Sequence, residues 1–199
     1  MNNQRKRGVF LDRDGTINED PSGYIGDPEQ VVLYPGAASA IRKLNEANLI
    51  VMVVTNQSGV ARGYYTEEDV QRTHAHMAAL LAEEGAHVDG FYYCPHHLDG
   101  VLPEYRVACS CRKPERGMLL RAASDWGVDP AQSYVVGDAL TDMLAGDRVG
   151  AQKALVLTGR GRESLSRNEE VEQVPLDYIA QDLSDATGWI AEDTGRRRK

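Results

Sequence analysis

Short apolar runs rich in β-branched residues recur at wide intervals along this 199-residue chain, at residues 8–11, 49–54, 90–93, 134–136 and 154–157. Each has the length of a strand and is too continuously apolar to keep one face in water. The stretches between them repeat apolar positions at helical spacing. Residues 37–47 follow the breaker Pro35-Gly36, and residues 66–84 open on a cap signal, Thr66 with Asp69 three positions on. Two more helical patterns run from about Met118 to Trp126, stopping at Gly127, and from about Leu140 to Val149, stopping at Gly150. Residues 160–174 are polar and read as a loop or loose helix, after which a strand near 178–180 and a helix to about Trp189 close the pattern. Buried strands alternating with helices predict an α/β fold, a central parallel sheet with helices on both faces. Residues 8–191 make one domain, residues 1–7 an N-terminal extension, and residues 192–199 a disordered basic tail that ends Arg196-Arg197-Arg198-Lys199.

A hydrophobic content of 42% is enough for one well-buried domain of this length. No apolar run approaches the roughly 18–20 residues of a membrane span. The polar, basic start (Asn2 to Arg7) runs directly into a strand with no signal-peptide core, which points to the cytoplasm. A net charge of −8 excludes a general nucleic-acid binder, because phosphate backbones need a basic surface. No exposed apolar stripe is evident, so the chain is expected to be a monomer.

The polar motifs fall where parallel sheets put their sites, at the carboxyl ends of strands. Asp12-Arg13-Asp14 follows the first strand, Thr55-Asn56-Gln57-Ser58 the second and Gly137-Asp138 the fourth. Asp12 and Asp14 lie two residues apart and so share a face in extended chain. Two adjacent acids are costly unless a cation or a proton sits between them. A magnesium ion resolves that conflict and leaves one carboxylate to attack phosphorus. Taken singly, each motif is an ordinary strand end or turn; in this order they describe one chemistry.

LDRDGT, VTNQSG, CRKP and VGDALTD, spanning Phe10 to Asp142, resemble the four motifs of the haloacid-dehalogenase (HAD) superfamily of phosphohydrolases. The resemblance implies a Rossmann-like HAD fold. It makes Asp12 the nucleophile and Asp14 the general acid and base. Thr55 and Lys113 would hold the phosphoryl oxygens, with Asn56 beside them. Magnesium would be bound by Asp12, the backbone carbonyl of Asp14, and Asp138. Asp142, four residues past Asp138, is open between a second acid facing the site and a surface helix residue.

All three cysteines, Cys94, Cys109 and Cys111, crowd one segment together with His96 and His97. An odd cysteine number and a reducing compartment disfavour disulfides, whereas three thiolates and one imidazole are the ligand set of a closed, structural zinc site. Spacing alone does not choose between the two histidines; family resemblance favours His96. Residues 95–108 hold too little apolar material to order by burial, and Cys111 runs straight into Arg112 and Lys113. Zinc would thereby position two cations.

The interval between Asp14 and Thr55 and that between Thr55 and Lys113 leave no room for a separate cap domain, so the site is expected to be open. YYCPHH, CSCRKPERGML and TNQSGVARG are similar to the branch of the superfamily that dephosphorylates phosphorylated heptoses. On that resemblance Arg112 would bind the substrate's second charged group by its bidentate fork. The loop Glu19, Asp20, Pro21 and Ser22 would meet the sugar, as would Asn56, Gln57 and Ser58. Ala139 stands where the best-known relatives place a lysine, and the loop from Glu19 to Tyr24 is one residue longer; both bear on sugar preference. Histidinol-phosphate phosphatases carry a similar but usually shorter metal loop. A phospho-accepting receiver or a zinc-organised binding module is the reading from another class, and Asp14 separates the two, because a lasting phospho-aspartate has no use for an adjacent acid.

Overall fold

Strands β1 (Gly8–Leu11), β2 (Ile50–Asn56), β3 (Gly90–Cys94), β4 (Tyr134–Gly137), β5 (Gln152–Val156) and β6 (Tyr178–Ala180) form one parallel sheet in the order β3-β2-β1-β4-β5-β6. The computed structural model describes residues 6–21, 23–168 and 174–196. The chain builds outward from β1 to β3, then returns to lay β4 on the other side of β1. Between β1 and β4 lies the switch point at which sheets of this kind hold their ligands.

Strand side chains alternate between two cores. Val9, Leu11, Val51, Val53, Tyr134 and Val136 face one layer, packed by α1 (Ala37–Glu46), α2 (Glu67–Glu83) and α6 (Leu183–Arg196) through residues such as Ile41, Met77, Leu81 and Ile190. Phe10, Met52, Val54, Val135 and Leu155 face the other, covered by Met118, Leu119 and Ala122 of α3 (Gly117–Trp126) and Met143 of α4 (Leu140–Asp147). Burial on both faces is the reason these strands read as unbroken apolar runs.

Thr66 caps α2 as its pattern with Asp69 predicts, each side chain bonding the other's backbone N–H. Gly127 ends α3 in a left-handed conformation. The polar segment after β5 contains a short helix, α5 (Gly161–Arg167). Helix α6 runs to Arg196, past the expected stop near Trp189 and through the first part of the expected tail. Its apolar residues Leu183, Ala186 and Ile190 recur at helical spacing against α1, which carries it onward. Residues 1–5 of the N-terminal extension and 197–199 of the tail lie outside the described residues. Among those described, no helix is long and apolar enough to cross a membrane.

Register aligns the polar ends. Leu11 is level with Val53 of β2 and Val136 of β4, so Asp12, Thr55 and Asp138 emerge within two residues of one line across the sheet. Ile41, fully buried between α1 and the sheet, reports on this scaffold. Ile41→Ala should lower unfolding free energy by about 2–5 kcal/mol, read as a lower urea midpoint at unchanged slope.

Candidate active site

Asp12, Asp14, Thr55, Lys113 and Asp138 open into one cavity of about 540 Å³ at the carboxyl edge of the sheet. Lys113 is its electrostatic centre. The side chain is buried, and Nζ lies 2.8 Å from Asp12 Oδ1, 2.5 Å from Asp142 Oδ1 and 2.7 Å from the carbonyl of Val54. Burial works against the ammonium, but Asp12 and Asp142 outweigh it and hold Lys113 charged above its ordinary range. Its backbone is fixed by Asn56, whose side chain accepts from Lys113 N and donates to Lys113 O, both at 3.0 Å. Asn56 is thus partly spent on aligning Lys113.

Asp142 belongs to the site: it is 1% exposed, ion-paired to Lys113, and its other oxygen accepts from the N–H of Ala139 at 3.1 Å. Carboxylate oxygens of Asp12, Asp138 and Asp142 lie within 4.8 Å of one another. Burial, and then the neighbouring acids, drive the Asp12 carboxyl well up despite Lys113. Burial and Asp142 raise Asp138 to about 7. Excess buried negative charge of this kind fits a divalent cation. Asp138 is cradled by Gly15 and Gly159, since a Cβ on either would come within 2.2 Å of its Oδ2.

Asp14 lies under different control. Burial pushes its carboxyl up, but the Arg13 guanidinium and hydrogen bonds from Arg13, Asn18 and Gln57 overcome that and hold it below the usual carboxylate range. Arg13, itself fully buried, donates from Nε to Oδ1 at 2.9 Å and from a terminal nitrogen to Oδ2 at 2.8 Å.

The second donor cluster lies beside Arg112. Cys94, Cys109 and Cys111 sulfurs are 3.1–3.5 Å apart, and His96 Nδ1 is 3.4 Å from Cys111 and 3.7 Å from Cys94. Three sulfurs and one imidazole nitrogen around a common point fit a tetrahedral metal. Burial opposes ionisation of Cys109, but hydrogen bonds from Cys111, the Arg112 backbone and Cys94 bring its thiol down to about 7, towards the ligating form. His97 is turned away, with Nδ1 accepting from Asp99 N at 3.1 Å and Nε2 3.5 Å from Arg62. Geometry therefore separates the two histidines where spacing does not.

Of the residues expected to meet substrate, Asp20, Asn56, Ser58 and Arg112 line the cavity. Glu19 and Pro21 line an adjoining hollow with Asp20 and Arg160. Gln57 does not face the cavity: it is 1% exposed, and its amide is turned inward among Asp14, Thr55, Arg13 and Tyr65. Ser22 lies outside the described residues. Tyr24, at the end of the longer loop, also lines the cavity, as do Arg62 and Arg160, which were not among the expected site residues. Arg160 was findable from its place just after β5, at the same sheet edge as the other motifs. Arg62 gave a weaker signal, an arginine returning to the site through the turn between Gly59 and Gly63.

The fold and this carboxylate–lysine site define a HAD-type phosphatase, and residues 110–186 match the HAD-hydrolase-like family. The chain is 47% identical over 146 residues to the D-glycero-beta-D-manno-heptose-1,7-bisphosphate 7-phosphatase of Rhodopseudomonas palustris, covering 73% of this chain and 81% of that protein. It is 46% identical to the enzyme of the same name from Escherichia coli over 154 residues, 76% of this chain and 80% of that one. The crystal structure of D,D-heptose 1,7-bisphosphate phosphatase from B. bronchiseptica, complexed with magnesium and phosphate, superposes with a TM-score of 0.84 at 33% identity over 94% of this chain and 99% of that one. The chain belongs to the D-glycero-D-manno-heptose-1,7-bisphosphate 7-phosphatase family.

The raised Asp138 fixes a sign for cation binding. Below about pH 7 the acid holds a proton that a divalent ion must displace, so affinity weakens as pH falls. Calorimetric titration with magnesium should show the dissociation constant rising by about fivefold from pH 7 to pH 6, and changing less above pH 8.

Proposed function

We propose that this protein removes the 7-phosphate of D-glycero-β-D-manno-heptose 1,7-bisphosphate, releasing heptose 1-phosphate and inorganic phosphate. It would act as a cytoplasmic monomer with catalytic magnesium and structural zinc. The observation that carries the reading is Asp12, aligned by Lys113 at 2.8 Å beside Asp14 and Asp138, in a chain nearly half identical to phosphatases of that name. An Asp12 oxygen attacks phosphorus as the bond from phosphorus to the sugar C7 oxygen breaks. The electron pair stays on that oxygen, which takes a proton from Asp14. Water then attacks the aspartyl-phosphate and gives a proton to Asp14, and Asp12 leaves as carboxylate with release of phosphate. Lys113 and the Thr55 hydroxyl stabilise charge on the phosphoryl oxygens. Asp12, Asp138 and the backbone carbonyl of Asp14 would hold magnesium, which when bound would neutralise charge on that group.

Arg112 suits the distal phosphate, and Arg62 strengthens that end of the cavity. Burial, and then Arg62, lower the Arg112 guanidinium below its ordinary range, although the nearby thiols act against them. Two arginines in one cavity wall favour a dianion.

Phosphate release should favour the β-anomer of the heptose bisphosphate over its α-anomer, histidinol phosphate and an aryl phosphate by kcat/KM, and Asp12→Asn should lower turnover by about 10⁴-fold or more while leaving the fold intact. Selectivity for histidinol phosphate would move the assignment to that substrate, and near-normal turnover by Asp12→Asn would exclude the covalent route.

Zinc would act through position. Leu98 and Val101 are 65% and 66% exposed, so the segment that bears them gains little from burial. Arg112 donates to the carbonyl of His96 at 3.2 Å, tying ligand and substrate residue together. Cys109→Ser should reduce bound zinc, measured by elemental analysis, and lower activity in proportion through Arg112 and Lys113; zinc lost with activity retained would contradict the positioning role.

A further inference from the structure

We infer that Gln57, fixed in turn by Tyr65, is a positioning residue that holds the proton-transferring carboxylate of Asp14, and is not a contact for the sugar. The inference rests on the reading of Asp14 as general acid and base. Gln57 Nε2 donates to Asp14 Oδ2 and to Thr55 Oγ1, each at 2.8 Å. Its Oε1 accepts from Arg13 at 3.1 Å and from the Tyr65 hydroxyl at 2.8 Å. Arginine has no acceptor, so the amide atom beside Arg13 must be oxygen and the one beside Asp14 must be nitrogen. The amide's orientation is thereby set by chemistry, and with 1% exposure it has no polar atom left for a ligand.

Tyr65 is held as firmly. A Cβ on Gly26 or on Gly59 would come within 2.2 Å of its ring, so the ring sits in a slot that only glycine backbone leaves open. From that slot its hydroxyl fixes the Gln57 carbonyl. Asn18 completes the set by donating to Asp14 Oδ1 at 3.0 Å. Asp14 then keeps one carboxylate orientation, with the side chain 17% exposed towards the cavity. Proton transfer requires donor and acceptor within about 2.6–3.2 Å. A carboxylate free to rotate about its side-chain torsions would spend much of its time outside that range. The same amide makes Thr55 Oγ1 an acceptor and leaves the Thr55 proton available to a phosphoryl oxygen.

Leaving-group dependence isolates the effect on Asp14. A sugar alkoxide needs a proton as it departs, whereas dinitrophenolate does not. Any change at Thr55 or in packing acts on both substrates alike. With the full chain, magnesium and zinc present, kcat/KM would be measured for the heptose bisphosphate and for dinitrophenyl phosphate in wild type, Gln57→Leu and Tyr65→Phe. The ratio of sugar to aryl kcat/KM should fall by about tenfold or more in Gln57→Leu, and by less but in the same direction in Tyr65→Phe. An unchanged ratio would overturn the inference, whatever the absolute rates. Should Gln57→Leu fail to fold, Tyr65→Phe decides by the same ratio. Asp14→Asn assayed alongside separates the two levels. If its ratio is also unchanged, the general-acid reading of Asp14 fails and this inference with it; a ratio that falls in Asp14→Asn but not in Gln57→Leu or Tyr65→Phe overturns the positioning role alone.

Discussion

The structure turns on the burial of Lys113 among Asp12, Asp138 and Asp142 at the end of a parallel sheet. Charges removed from water cost several kcal/mol each unless paired closely. Lys113 meets Asp12 at 2.8 Å and Asp142 at 2.5 Å, yet one ammonium cannot neutralise this group of acids. Burial and then Asp142 raise Asp138 to about 7, and the acids in excess of Lys113 are the physical reason the site calls for a cation. Several local features serve that crowding: the Asn56 pair that fixes the Lys113 backbone, the glycines that let Asp138 approach, and the α4 cap that doubles as a Lys113 partner.

Two acids two residues apart are tuned in opposite directions. Asp12 is driven up by burial and then by the carboxylates it faces; Asp14, despite burial, is held down by Arg13, Asn18 and Gln57. Neighbouring residues on one loop are set apart by which layer each side chain enters. Asp12 looks across the sheet edge to β2 and β4. Asp14 looks back into the turn that contains Asn18 and Ile25, whose carbonyl also accepts from Arg13 at 2.9 Å. A divalent cation against Asp12 and Asp138 would displace the proton that burial favours and leave Asp12 ionised, while the donors around Asp14 fix its orientation and favour its charged, proton-accepting form.

Beside the sheet, a segment poor in buried apolar contacts is gathered by sulfurs and an imidazole in place of a hydrophobic core. It delivers Arg112 and Lys113 to the cavity. The open cavity between the metal loop and α5 leaves substrate choice to side chains on loops: Arg62 and Arg112 near one end, Arg160 near Asp138 at the other.

Strand and helix order, the positions of the chemical motifs at strand ends, and the cysteine cluster were all legible in the chain. Each rests on local periodicity or on residue types whose spacing has one economical use. Helix α6 was underread because its last turns are held by tertiary partners, with Asp193 and Thr194 meeting the Tyr134 hydroxyl, that the local sequence does not show. Three questions needed tertiary structure. Asp142 turned inward because Lys113 was there to receive it. His96, not His97, met the sulfurs because of the direction in which the loop turns. Gln57 left the cavity because Arg13, distant in sequence, and Tyr65, across the intervening turn, present the donors its carbonyl accepts. The sequence by itself determined which groups would stand at the sheet's edge, since that follows from strand length and alternation. Only the tertiary structure decided which way each side chain faces, because that depends on buried partners whose distance along the chain carries no local signal.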